Sequence, residues 1–229
     1  MGKNKLARWA EMSSFSNVIQ PETEEAKDGE HPLKGRWNED HFLNNNPIVL
    51  ELGCGKGEYT VGLASRYPLK NFIGIDIKGA RIWRGAKTAF EKKIRNAIFL
   101  RTRIEFINSF FSENEIDEIW ITFPDPYPRR RSAAKRLTSP IFLNSYRTFL
   151  KNGGIIHLKT DNTELYNFTR RIVKNNNLET VTATDDLYAE NIENEVLSIR
   201  THYENIFLGK GIKINYLSFR LDKNRSIED

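Results

Sequence analysis

Cysteine is almost missing from this chain. Cys54 is the only one in 229 residues, which excludes an internal disulfide framework and a multi-cysteine metal site. No apolar run approaches the roughly 20 residues needed to cross a bilayer, and the N-terminus has no apolar signal region. Leu6 stands where a myristoylation site after Met1-Gly2 would need Ser or Thr. His31, His41, His157 and His202 show no metal-ligand spacing, so no metal is expected. There is no internal repeat and no low-complexity block. These absences point to a cytoplasmic globular protein without a membrane segment.

What is there is ordinary in bulk. Hydrophobic residues make up 39% and charged residues 28% of the chain, a balance that supports one α/β domain with a sizeable core. The net charge of +5 and a pI near 9.2 allow a polyanionic partner. Oligomeric state is open between monomer and homodimer.

One stretch organises the rest. Ile48 to Leu52 reads as a buried strand with acidic Glu51 near its end. Gly53, Gly55 and Gly57 then fall at every second place, and helix-like periodicity resumes from Glu58 to Tyr67. Strand, glycine loop and helix open a nucleotide-binding α/β sheet, although a glycine turn can also be a plain connector. Asn71 to Asp76 forms a second buried strand ending in an acid. An acid there can accept from both ribose hydroxyls of an adenosine, or it can cap the helix starting near Lys78. The loop lacks the Lys-Ser/Thr ending of a phosphate-binding loop, which suits an adenosine ligand without phosphate.

Residues 1–46 do not read as core. Lys3, Lys5 and Arg8 surround Trp9, and an acidic, proline-containing run follows from Pro21 to Glu30. They form an N-terminal arm that is expected to be partly flexible, with a possible RNA contact. Arg36-Trp37-Asn38 reads as an entry segment lying on the domain formed by residues 47–229. In that domain, strands near 48–52, 71–76, 97–101, 117–122 and 154–159 alternate with helices near 58–67, 79–93, 140–150 and 162–175. Such alternation predicts right-handed crossovers, a mostly parallel twisted sheet and helices on both faces. A strand near 178–182, a helix near 201–208 and a strand near 214–221 predict an antiparallel C-terminal hairpin at the sheet edge.

The chemistry is written in residues 119–136. A buried strand runs into Phe123-Pro-Asp-Pro-Tyr-Pro128, whose three prolines stiffen the loop. Ligands of open α/β sheets bind at the carboxyl ends of strands, so Asp125 and Tyr127 should face a cofactor crevice. Arg129, Arg130, Arg131, Lys135 and Arg136 follow within eight residues. That run is either a solvated face or, beside a rigid acid–aromatic loop, a grip on an RNA backbone. Cys54, between two glycines, reads as a small packing residue, and Trp83 and Trp120 as core or helix-packing residues.

Two resemblances follow from these motifs. Glu51-x-Gly-x-Gly-x-Gly57 resembles the first motif of class I S-adenosylmethionine methyltransferases. The loop 123–128, its basic tail ending in Lys135-Arg136-Leu137, and Thr201-His-Tyr-Glu204 together resemble bacterial tRNA (guanine-N7-)-methyltransferases of the TrmB type. The likeness runs from about Ile48 to Asp161 and reappears at Thr201 to Glu204. It implies a Rossmann-like class I methyltransferase fold. It also implies S-adenosylmethionine as cofactor and tRNA as partner, with 7-methylguanosine formed in the variable loop, position 46 of the tRNA.

Carried over by position, the resemblance makes Glu51, Gly53, Gly55, Gly57, Asp76 and Asp125 cofactor-binding. It places Asp125 at the reaction centre. Arg129, Asp161, Thr201, His202, Tyr203 and Glu204 become substrate contacts, while Arg130, Arg131, Lys135 and Arg136 take the RNA backbone. Arg103 departs from the family, whose members often carry Asp or Asn there, and it counts as cofactor-binding by position alone. Asp161 could equally cap the helix starting at Asn162. Two other readings remain open at this point. One is an exocyclic-amine methyltransferase of nucleic acid, although that class carries Asp/Asn-Pro-Pro-aromatic. The other is a non-catalytic RNA-binding module of the same fold.

Overall fold

The computed structural model describes residues 3–27, 29–189, 197 and 199–229, with backbone alone for residues 3–6. Met1-Gly2, the side chains of Lys3 and Lys5, and Asp28 of the acidic run therefore lie outside the described residues. Among the described residues, no helix is long and apolar enough to cross a membrane. The chain divides into two compact units, residues 1–112 and 113–229.

In the first unit, helix α1 (Lys3–Met12), strand β1 (Val18–Ile19) and helix α2 (Thr23–Lys27) precede β2 (Ile48–Leu52). Then α3 (Glu58–Arg66), β3 (Asn71–Ile75), α4 (Gly79–Glu91) and β4 (Ala97–Leu100) alternate. Strand order is β1-β4-β3-β2, and every pairing is parallel. All residues of β2, β3 and β4 are buried. Their near-continuous apolar runs, rather than alternating ones, are what a sheet covered on both faces requires.

Two glycines let the first unit close. Gly57 has φ 67°, and a Cβ there would meet Phe99 at 2.4 Å. A Cβ on Gly85 of α4 would meet the Lys56 carbonyl at 2.7 Å and Gly57 Cα at 2.9 Å. Helix α4 thus packs backbone to backbone on the glycine loop, and any side chain at either place would push them apart.

The entry segment at Arg36-Trp37-Asn38 lies on this unit as expected, and further residues before β2 are buried although they did not read as core. Trp37 is fully buried, donates its Nε1–H to the Phe110 carbonyl at 2.7 Å and stacks on Phe111 at 5.5 Å. It begins a π-helical segment, Trp37–Phe42. Asn71, fully buried at the start of β3, donates to Asn38 at 2.9 Å and Asn44 at 2.8 Å. Met12 and Phe15 are buried as well. Trp37 and Asn38 meet partners far along the chain, so their docking carries no local period in the sequence.

The second unit holds β5 (Ile116–Thr122), α5 (Pro140–Tyr146), β6 (Leu150–Thr160), α6 (Thr163–Asn175), β7 (Thr180–Thr184), α7 (His202–Gly209) and β8 (Asn215–Arg220). Strand order is β5-β6-β8-β7. The β5–β6 pair is parallel, and β8 lies antiparallel to both β6 and β7. The expected C-terminal hairpin is present, with β7 at the edge. Trp120 of β5 stacks on His157 of β6 at 3.8 Å, and His157 Nδ1 lies 2.8 Å from the Tyr216 hydroxyl. That polar-aromatic layer is buried, and its desolvation pushes the Tyr216 phenol up to about 12.

Candidate active site

In the first unit, the acids predicted from sequence sit at the exits of β2 and β3. Glu51 is buried, and its Oε2 accepts from the backbone N–H of Thr60 at 2.8 Å and, more closely, from the Thr60 hydroxyl. Thr60 lies in the first turn of α3, so this anion faces the partial positive charge of the helix N-terminus. Gly74 pairs with Glu51 across the sheet, and a Cβ there would stand 2.7 Å from the Thr60 hydroxyl. The missing side chain on β3 is what lets Thr60 descend onto Glu51.

Asp76 holds the loop from the other side. Its Oδ2 accepts from the Gly55 N–H at 3.0 Å, and its Oδ1 from the Lys78 N–H at 2.8 Å. The Ile75 carbonyl accepts from both Gly53 and Cys54 N–H groups. Two accepted bonds still leave an ionised carboxylate about two of its roughly four acceptor positions. Space above the loop is open, since a Cβ on Gly55 would meet no atom closer than 3.9 Å. This combination fits an adenosine-bearing cofactor: backbone can approach the ligand at Gly55, while Asp76 keeps acceptor capacity for hydroxyl donors. Cys54 is buried, and burial, with Glu51 and Asp76 nearby, pushes its thiol well above the ordinary range. It is no nucleophile. Arg103 is exposed and donates to Glu105 at 3.2 Å.

In the second unit, residues 123–128 leave β5 as a strained loop. Phe123 has φ 50° and Tyr127 φ 42°, left-handed conformations costing roughly 1–2 kcal/mol for a side-chain-bearing residue. Arg136 holds the second of these, at Tyr127. It is 7% exposed, donates to the carbonyls of Pro126 at 3.0 Å and Tyr127 at 3.1 Å, and lies over Phe168 at 4.4 Å. Asp125 is exposed on this loop. Arg129, Arg130, Arg131 and Lys135 are exposed on and around a short 3₁₀ helix, Arg130–Lys135, and none forms an ion pair among the described residues. Arg136, read with the run as an RNA contact, is corrected here: its guanidinium faces inward and is spent on the loop.

At the end of β6, Asn162 caps α6 by accepting from the Leu165 N–H at 2.8 Å. Asp161 is therefore not the cap, and half-burial holds its carboxyl above the ordinary range. Thr201 and Glu204 form a capping box at the start of α7. Both are buried, whereas His202 and Tyr203 are exposed. Glu204 Oε1 lies 2.7 Å from Lys159 Nζ and accepts from the Tyr188 hydroxyl at 2.7 Å. A polar cavity of about 350 Å³ opens at the far end of β6, near Asn152, Asn176 and Arg220, and holds none of these residues.

The chain matches the family model described as "Putative methyltransferase" over residues 45–217. It is 51% identical to the tRNA (guanine-N(7)-)-methyltransferase of Christiangramia forsetii, covering 96% of this chain and 98% of that one. Identity to the enzyme of the same name from Porphyromonas gingivalis is 55%, over 83% of this chain and 78% of that one. The chain belongs to the tRNA (guanine-N7-)-methyltransferase family. These are S-adenosylmethionine-dependent enzymes of class I. The fold is shared more widely: the crystal structure of the 16S rRNA methyltransferase KamB superposes with a TM-score of 0.59 at 13% identity, covering 87% of this chain and 92% of that one.

Within this family frame, some site-shaping residues escaped sequence reasoning. Thr60, Gly74 and Gly85 shape the glycine loop, Lys159 carries a buried charge beneath the first turn of α7, and Arg136, named with the basic run, turned out to hold the 123–128 loop. For the α7 turn a signal was present: Thr-x-x-Glu ahead of Ile206-Phe-Leu is a capping-box pattern. For Lys159, inside an apolar strand, there was none.

Proposed function

We propose that this chain transfers a methyl group to N7 of a guanine in the variable loop of tRNA, in the cytoplasm, with Asp125 orienting the base. Family membership over nearly the whole chain carries the reading, and the exposed acid followed in the chain by exposed cations supports it. S-adenosylmethionine, when bound, supplies an electrophilic methyl on sulfur. Gly53, Gly55 and Gly57 would give it backbone approach, and Asp76 would accept from its ribose hydroxyls. Glu51 supports that loop through Thr60. Arg103 can contribute its main chain.

Guanine N7 carries an in-plane lone pair and no proton at neutral pH, so a strong base is unnecessary. Alignment does most of the work. Asp125 accepts from the N1–H and N2–H₂ edge and stabilises the positive charge that grows on the ring. Tyr127 offers a stacking face for the base. Asp161 is a second acceptor, and its raised carboxyl gains most when a donor reaches it. Arg129 contacts the substrate, the first turn of α7 from Thr201 to Glu204 forms a wall of the base pocket, and Arg130, Arg131 and Lys135 take phosphates.

The test is methyl transfer from labelled S-adenosylmethionine to unmodified bulk tRNA, followed by nucleoside analysis. A 7-methylguanosine peak is expected. Methylation at N6 would move the chain to the exocyclic-amine class, and failure to bind the cofactor would leave an RNA-binding module.

A further inference from the structure

The turn after Asp76 is backed by the N-terminal segment in two ways, directly by Met12 and through the side chain of Arg101. Strand β1 lies along β4: the Phe99 N–H donates to Asn17 and the Arg101 N–H to Ile19, at 2.9 and 2.8 Å. Helix α1 is held on α4 by Glu11, which accepts from Trp83 Nε1 and Lys87 Nζ at 2.7 Å each. Between them, the Arg101 guanidinium lies over the Trp9 ring at 5.0 Å and donates to Gln20 Oε1 at 3.3 Å. Its Nε lies 3.4 Å from the Ile77 carbonyl. A Cβ on Gly79 would sit 3.0 Å from Arg101 Nε and 3.0 Å from Met12 Cε, so the turn rests directly on both.

The position of that turn matters because Asp76 is aimed by it. One carboxylate oxygen is tied to the Lys78 N–H, in the same turn, and the other to Gly55. Displacing residues 77–79 would rotate the carboxylate away from the loop. We propose that Arg101, gripped by Trp9 and Gln20, is a positioning residue for the cofactor site, so that the N-terminal segment sets cofactor affinity. This inference rests on the reading that Asp76 holds the cofactor's ribose.

The experiment uses the full chain with Arg101→Met, Arg101→Lys, Trp9→Leu and Asp76→Asn. Calorimetry measures S-adenosylhomocysteine binding, and steady-state kinetics separates KM for the methyl donor from kcat and from KM for tRNA. Asp76→Asn should weaken binding by more than about tenfold. Arg101→Met should weaken it about tenfold and raise KM for the methyl donor by the same factor, with kcat and KM for tRNA within about twofold. Arg101→Lys should recover part of the loss. Trp9→Leu, which leaves Arg101 in place, should weaken binding in the same direction and supplies the test if Arg101→Met does not fold. Unchanged cofactor binding in Arg101→Met or Trp9→Leu, beside a loss in Asp76→Asn, would overturn the inference alone. Unchanged binding in Asp76→Asn would overturn the ribose reading as well.

Discussion

Lys159 and Glu204 meet at 2.7 Å with no exposed surface on either side chain. Lys159 also donates to the carbonyls of Leu197 at 2.9 Å and Ile199 at 3.2 Å, so one strand residue ties down the approach to α7 and its first turn. Burial pushes the Lys159 ammonium below its ordinary range, against the pull of Glu204. Lys159→Met would strand a buried carboxylate and should cost about 3–5 kcal/mol, while removing both charges with Lys159→Met and Glu204→Leu should recover much of it. Urea unfolding of the single and double variants measures both effects.

Asp125 is expected to act on the reaction rather than on the fold, because it is exposed on a loop whose shape Arg136 maintains. Asp125→Ala should lower kcat for tRNA methylation by about 10²–10³ and leave the melting temperature and S-adenosylhomocysteine affinity near wild type. Turnover at the wild-type rate would take Asp125 out of the mechanism.

The two kinds of arginine in the basic run should separate cleanly. Replacing Arg130, Arg131 and Lys135 together by Gln should flatten the dependence of log K for tRNA on log salt by roughly 2, without loss of stability. Arg136→Gln should leave that slope nearly unchanged and instead destabilise the fold. It removes the donor to two carbonyls of a strained loop. Filter binding over a salt series, beside thermal melts, distinguishes them.

Burial pushes the imidazoles of His31 and His41 below their ordinary value near 6.5. His31 Nδ1 accepts from the Leu33 N–H at 3.2 Å, a bond only the unprotonated nitrogen can make. Between the lowered values and 6.5 the unfolded chain therefore binds more protons than the folded one. Stability should be full above about pH 6.5 and fall as pH drops below it. Melting temperatures recorded from about pH 7.5 to about 5.5 should show this decline, and His31→Gln with His41→Gln should make it shallower.

Much of the fold follows from constraints that act within a few residues. The glycine loop after β2, the alternation from β2 to α6 and the proline-stiffened loop carrying Asp125 were all legible. Each depends on φ limits or on a period in the chain itself. The tertiary structure alone decided the tasks of residues whose partners are remote. Trp37 finds the Phe110 carbonyl 73 residues away, and Lys159 finds Leu197 38 residues away. Arg136 and Arg130 look alike in the sequence, yet one is buried on carbonyls and the other is exposed. A charged side chain is stable inside only where the fold assembles its acceptors, and that assembly is not a local property of the chain.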